Sequence, residues 1–336
     1  MHAGLRVWGL TILLPGVLLG CSQPDSGSPG QGSPGQVENS RADRPRIMVT
    51  SRPLLEITET LVNAAADVTL VVPDGTSSFM WSPSADDARK LQQAALILIS
   101  GAGYEPWKSR VALPGSRLRD TASGYYDQFI RIPDAITHQH GPDGKHSHPG
   151  TVWATWLDPN LCIAQVHAVS LSCKHLLPEH TPIIEAAEAK LSAEINALNP
   201  TIATLKATTS DEPILVVADT PHYQYLIERL GWKLQYLHWG LEETLSKTDR
   251  AEFLTVWKNR PGDTRGIFLM DSRRSEESAA FVRESGAVVV RIDLCETRSP
   301  ESVSFPVRLK SNLLSLQAGL QRSRNSEADK GFFPKK

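Results

Sequence analysis

The chain has 336 residues, 40% hydrophobic and 21% charged, with 35 basic against 37 acidic side chains and a net charge of −2. That apolar content excludes disorder for most of the chain, and the charge balance supplies no basic field for nucleic acid. No apolar run reaches the roughly 20 residues a membrane-spanning helix needs, and the length suits two domains of ordinary size.

Arg6 precedes a short apolar stretch over residues 7–19, which ends Leu18-Leu19-Gly20-Cys21. One positive charge before such a stretch reads as a signal peptide over residues 1–20. Its end resembles the lipobox of bacterial lipoproteins, so Cys21 is the expected lipidation site and membrane anchor. Each buried methylene of an acyl chain contributes about 0.8 kcal/mol. Residues 21–45, dense in Gly, Ser and Pro, predict a flexible tether. The expected location is therefore extracytoplasmic, periplasmic or cell-surface, with the body lipid-anchored above a bacterial membrane.

Strands are predicted at 46–50, 68–72 and 96–99, with helices at 53–63 and 85–94 between them. Irregular chain then leads to a His-rich stretch, and a helix is predicted over 158–176. A strongly helical stretch, 182–208, carries Pro200, which lacks an amide hydrogen and should interrupt it. Strands resume at 214–218, 234–237, 266–270 and 288–293, with helices near 222–230, 248–259, 275–285 and 302–320. Alternating strands and helices argue for an α/β fold of two lobes, each with a mostly parallel sheet flanked by helices. The lobes are placed at 46–180 and 211–322, joined by a long helix over 181–210, with a polar, frayed tail at 323–336. Ligand crevices in such sheets open at the carboxyl ends of the strands.

Besides Cys21, the cysteines are Cys162, Cys173 and Cys295. The first two share one predicted helix about 16 Å apart, beyond disulfide reach, so buried thiols are expected. Whether Cys295 pairs with either is left open. Acid pairs Asp86-Asp87, Glu242-Glu243 and Glu276-Glu277 read as helix N-terminal charges.

Four of the ten histidines fall within eleven residues, His138, His140, His146 and His148, in a loop punctuated by Gly, Pro and Asp. Neutral imidazoles are common ligands of zinc and other transition metals, and His-x-His pairs can chelate one ion. Such a loop suits gathering a metal. His167, His175 and His180 lie along helical stretches and read as packing or surface residues. No nucleophile elbow, Walker loop or dinucleotide fingerprint is present, and no general base stands at fixed spacing from the histidines. An enzyme is not expected.

Gly101-Ala-Gly-Tyr-Glu-Pro-Trp107, Trp156-Leu-Asp-Pro159 with the His-rich loop before it, and Pro221-His222-Tyr223 followed by Glu228-Arg-Leu-Gly231 together resemble one family. It is that of the periplasmic metal-binding proteins of zinc and manganese ABC importers, the zinc-uptake or cluster A-I solute-binding proteins, over roughly residues 46–322. The resemblance implies a monomer that carries Zn2+, with Mn2+ or another divalent metal possible, to an ABC permease. Three positions depart from the pattern, because Phe79, Ala154 and Thr220 stand where the family places histidine ligands. A relocated set, with His146 and His148 from the loop and His222 and His238 from the second lobe, is one reading. In it Asp271, Asp293 or Glu296 could add an oxygen donor. His146-Ser-His148, Gly150-Thr151 and Leu237-His238-Trp239 match a branch of the family. The other reading is a degenerate scaffold that serves as an interaction or adhesion protein, or as a passive metal buffer.

Overall fold

The structure is a computed structural model, and it describes residues 44–73, 76, 79–132, 137–139, 145–147, 150–210, 214–240, 244–261, 264–299 and 302–331. The expected leader, Cys21, the tether up to residue 43, His140, His148, the acids Glu242-Glu243 and the side chains of His138 and His146 lie outside the described residues.

The first half alternates as the sequence predicts. Strand β1 (Arg46–Val49) runs into α1 (Arg52–Val62), which Ser51 caps by accepting the Leu54 N–H, with Pro53 in the first turn. Then come β2 (Asp67–Leu70), α2 (Ala85–Gln93) and β3 (Leu96–Ile99). The start of α2 is a reciprocal box between Ser84 and Asp87, and Asp86 also lies in the first turn. The short strand β4 (Leu118–Asp120) is unanticipated; its Leu-Arg-Asp carries no apolar run, and pairing with β3 alone defines it. Strands β5 (Thr137–Gln139) and β6 (Lys145–Ser147) make an antiparallel hairpin that sets His138 opposite His146.

Asp158 caps α3 (Pro159–Leu176) by accepting the Asn160 and Leu161 N–H groups. The linking stretch is two helices, α4 (Thr181–Asn196) and α5 (Asn199–Thr208), with Pro200 in the first turn of the second. Proline is tolerated there because its missing N–H would have no intrahelical partner anyway. The second half follows as β7 (Ile214–Ala218), α6 (Gln224–Arg229), β8 (Leu234–Tyr236), α7 (Lys247–Lys258), β9 (Arg265–Asp271), α8 (Glu276–Glu284), β10 (Val288–Ile292) and α9 (Phe305–Gly331). Helix α9 continues past the predicted boundary at residue 320 into the segment expected to fray. Two arginines of this stretch bond to neighbouring backbone: Arg322 donates to the Val289 carbonyl and Arg324 to the Thr208 carbonyl.

Each lobe holds a four-stranded parallel sheet, ordered β2-β1-β3-β4 and β10-β9-β7-β8. In each sheet the first strand sits between strands that follow it, so the strand order reverses beside it, the place where α/β sheets open a crevice. One apolar cluster joins the lobes, running from Ile47 and Leu54 through Trp156 and Ile195 to Tyr223, Ile267 and Leu309. Burying this surface at about 25 cal/mol per Å2 is the main force holding the two sheets on their shared helices. Cys162, Cys173 and Cys295 are buried free thiols, and burial pushes each thiol well up. No helix among the described residues is long and apolar enough to cross a membrane.

Candidate metal site between the lobes

The Gly-Ala-Gly motif after β3 is a backbone device. Gly101, Ala102 and Gly103 all have positive φ, 75°, 51° and 83°. A Cβ on Gly101 would lie 2.1 Å from Asp120 Oδ1, so glycine is required there. The turn folds Glu105 back under itself: its carboxylate accepts the Ser100 N–H (2.8 Å), the Gly101 N–H (3.1 Å) and the Thr50 hydroxyl (2.6 Å). Burial nevertheless pushes the Glu105 carboxyl up to about 7, with those donors holding it back. The same turn aims Tyr104 at the second lobe.

Around Tyr104 the cleft is aromatic. Trp153 packs on Tyr104 at 4.7 Å between ring centroids, on Trp156 at 5.5 Å and on Phe79 at 6.5 Å. Phe79 and Ala154, two of the residues at expected ligand positions, are thus parts of or neighbours to an apolar wall, and Thr220 is buried beside Pro221 at the end of β7. None of these three side chains coordinates metal with useful strength.

His222 meets this wall from the second lobe. It lies in a single 3-10 turn, Pro221–Tyr223, and its imidazole covers the Trp153 indole with centroids 4.0 Å apart and planes 31° apart. His238 follows β8, held because Leu237 donates to the Ala218 carbonyl and Trp239 to the Asp219 carbonyl. Its ring stands edge-on to Tyr236 at 5.3 Å. Tyr236 packs on a cluster of Tyr125, Ile132, Val152, Leu161 and Tyr225.

That cluster is the root of the His-rich hairpin. Ile132 donates to the Gly150 carbonyl and Val152 to the Ile130 carbonyl, pinning both ends of the segment. The Tyr225 hydroxyl, from α6, accepts the Ile130 N–H at 3.1 Å. Each second-lobe histidine thus contacts a neighbour of the hairpin root: His222 meets Trp153, which follows Val152, and His238 meets Tyr236, which packs on the root cluster. Among the described residues no group of three or more His, Cys, Asp and Glu side chains is arranged to hold a metal. His167 and His180 bond to Glu188 and Glu179 on exposed helix surface, and His175 is exposed.

The strand-end acids are already engaged by arginines, which the sequence reading missed. Asp219 accepts the Tyr223 hydroxyl, the Asp271 N–H and Arg274 Nε, each at 3.0 Å. Arg274 passes on to the Gly240 carbonyl (2.9 Å), so Asp219 fixes the segment that carries His238. Asp293 takes two bonds from Arg308, which also reaches Glu56 in the first lobe at 3.1 Å. Arg273 spans Asp271 and Glu296. The sequence signal for the Arg273 and Arg274 partnerships was that pair itself, which follows the β9 acid Asp271 and its neighbour Ser272.

The comparisons agree with this architecture. The High-affinity zinc uptake system protein ZnuA of Bacillus subtilis (strain 168) is 22% identical over 297 residues, covering 84% of this chain and 89% of that protein. The solute-binding protein FpvC of Pseudomonas aeruginosa, solved with Mn2+, superposes with a TM-score of 0.66 at 17% identity, covering 83% of this chain and 99% of FpvC. The metal-dependent lipoprotein YcdH of Bacillus subtilis gives a TM-score of 0.66 at 18% identity, covering 82% of this chain and 99% of YcdH. At these identities the superpositions establish a shared two-lobed fold. The family model for zinc-uptake complex component A, periplasmic (ZnuA), matches residues 47–319, and the chain belongs to that family of transport-binding proteins.

Proposed function

We propose that this chain is an extracytoplasmic solute-binding lipoprotein, anchored through Cys21, that captures a divalent transition metal and passes it to an ABC permease. Zinc is the foremost cargo and manganese the second. The observation that carries this reading is the approach of His222 and His238 to the root of the hairpin that bears His138, His140, His146 and His148. Loop and second lobe together then offer a set of donors rich in imidazole nitrogen, and nitrogen-rich sites favour zinc over manganese, which prefers oxygen donors. The Bacillus subtilis relative named for zinc uptake and the manganese complex of FpvC support a divalent cargo.

In this reading the loop gathers metal and closes over the rim, while the floor stays fixed. Release then depends on small lobe shifts and loop rearrangement, because α4 and the shared apolar cluster restrain wide opening. The full chain in detergent, titrated with zinc and manganese under a competing chelator, tests it. One tight zinc site is expected, weakened about a hundredfold (about 2.7 kcal/mol) in the His146→Ala/His148→Ala variant. Weak, multiple sites that vanish with the loop histidines would favour the second reading, a scaffold that has lost its pocket and buffers metal passively or binds a protein. Phe79, Ala154 and Thr220 at the expected ligand positions are what keep that reading in play.

A further inference from the structure

The floor of the cleft carries an arrangement that metal capture at the rim does not use. Asp271 ends β9 and Glu296 follows β10, and their side chains are 0% and 1% exposed. Arg273 lies across both. Its Nε donates to Asp271 Oδ1 at 2.9 Å, and one terminal nitrogen donates to Asp271 Oδ2 and to Glu296 Oε2, each at 2.8 Å. The Arg273 backbone N–H adds a bond to Asp271 Oδ1 at 2.8 Å. On the other side, Glu296 Oε1 accepts the Tyr104 hydroxyl of the first lobe at 2.8 Å. Close by, Trp156 Nε1 donates to the Leu294 carbonyl at 2.9 Å, a second bond across the seam.

Two buried carboxylates from adjacent strand ends, with a donor from the opposite lobe, are the kind of setting a divalent cation would bridge. Here a guanidinium fills it, planar, permanently charged and matched to carboxylate geometry. We propose that Arg273 is a built-in counter-cation, which occupies the oxygen ligands of the cleft floor and holds the lobes together through Glu296 and Tyr104 without metal. Cargo is thereby excluded from Asp271 and Glu296, and the floor does not change with loading.

The test uses the full chain carrying His222→Ala and His238→Ala, so it does not depend on the rim reading. Adding Arg273→Ala should create one Mn2+ site at least tenfold tighter than any in the parent, and Glu296→Gln should abolish the gain. A folded Arg273→Ala chain with no gained site overturns the proposal, as does a gain that survives Glu296→Gln. Should that variant fail to fold, hydrogen exchange on the parent decides. Amides over 101–107 and 293–297 should exchange within twofold of each other's rates in Mn2+ and in EDTA. Protection by Mn2+ of tenfold or more there would show that the floor takes metal despite Arg273, and the proposal falls.

Discussion

His222 packs on Trp153 with ring centroids 4.0 Å and planes 31° apart, so a residue of the second lobe rests on the segment that leads out of the His-rich hairpin. An imidazole held this way is oriented before any ligand arrives, which lowers the entropic cost of recruiting it. The indole also belongs to the aromatic wall formed with Phe79, Tyr104 and Trp156.

Trp153→Ala should therefore cost on two counts. Loss of a buried indole destabilises by about 3–5 kcal/mol, read as a shift of the denaturant midpoint. Zinc affinity should fall as well, and Trp153→Phe should restore most of the stability. A variant as stable as the parent would mean that the wall does not hold the lobes together.

Gly101→Ala forces a Cβ to 2.1 Å from Asp120 Oδ1 at a φ of +75°. A destabilisation of about 2–4 kcal/mol is expected from overpacking and left-handed strain together. Chemical denaturation measures it, and a change under roughly 0.5 kcal/mol, the level of an ordinary surface substitution, would refute the role given to this turn.

Glu105 makes stability depend on pH with a definite sign. Its carboxyl is pushed up to about 7 by burial against an ordinary 4.5. The folded state thus favours the neutral acid, and this contribution is fully present below about pH 4.5 and lost as pH rises through about 7. The loss is about 3 kcal/mol at most, an order-of-magnitude figure. Urea midpoints across that range should fall more steeply in the parent than in Glu105→Gln, whose side chain does not titrate. Equal slopes would contradict the assignment.

Metal affinity should move the opposite way with acid. An imidazole must be neutral to coordinate, so lowering the pH from about 7.5 to about 5 should weaken zinc binding by tenfold or more. Chelator competition at the two pH values checks this, and unchanged affinity would count against histidine ligation.

Most of the scaffold was legible because local and tertiary signals agreed. The buried runs Leu96–Ile99 and Ile214–Ala218 are strands over the residues predicted, and Pro200 stands in the first turn of α5 where an interruption was expected. Strand β4 was not legible, since Leu118–Asp120 has no pattern of its own and exists through pairing with β3. The hairpin signals only a loop in sequence, although Gly-Pro-Asp-Gly punctuation suits a turn between strands. The floor was hidden for a different reason. Arg273 meets Glu296 across 23 positions and Tyr104 meets Glu296 across 192, partnerships that sheet order creates and periodicity does not reveal.

The central claim is that loop and second lobe hold the same ion. A double-mutant cycle on zinc affinity, pairing His146→Ala/His148→Ala with His222→Ala in the full chain under a competing chelator, tests it most directly. Each change should weaken binding about a hundredfold (about 2.7 kcal/mol), and the combination should cost little more than either alone, because one site can be lost only once. Strictly additive losses, or a His222→Ala chain that binds as the parent does, would contradict it.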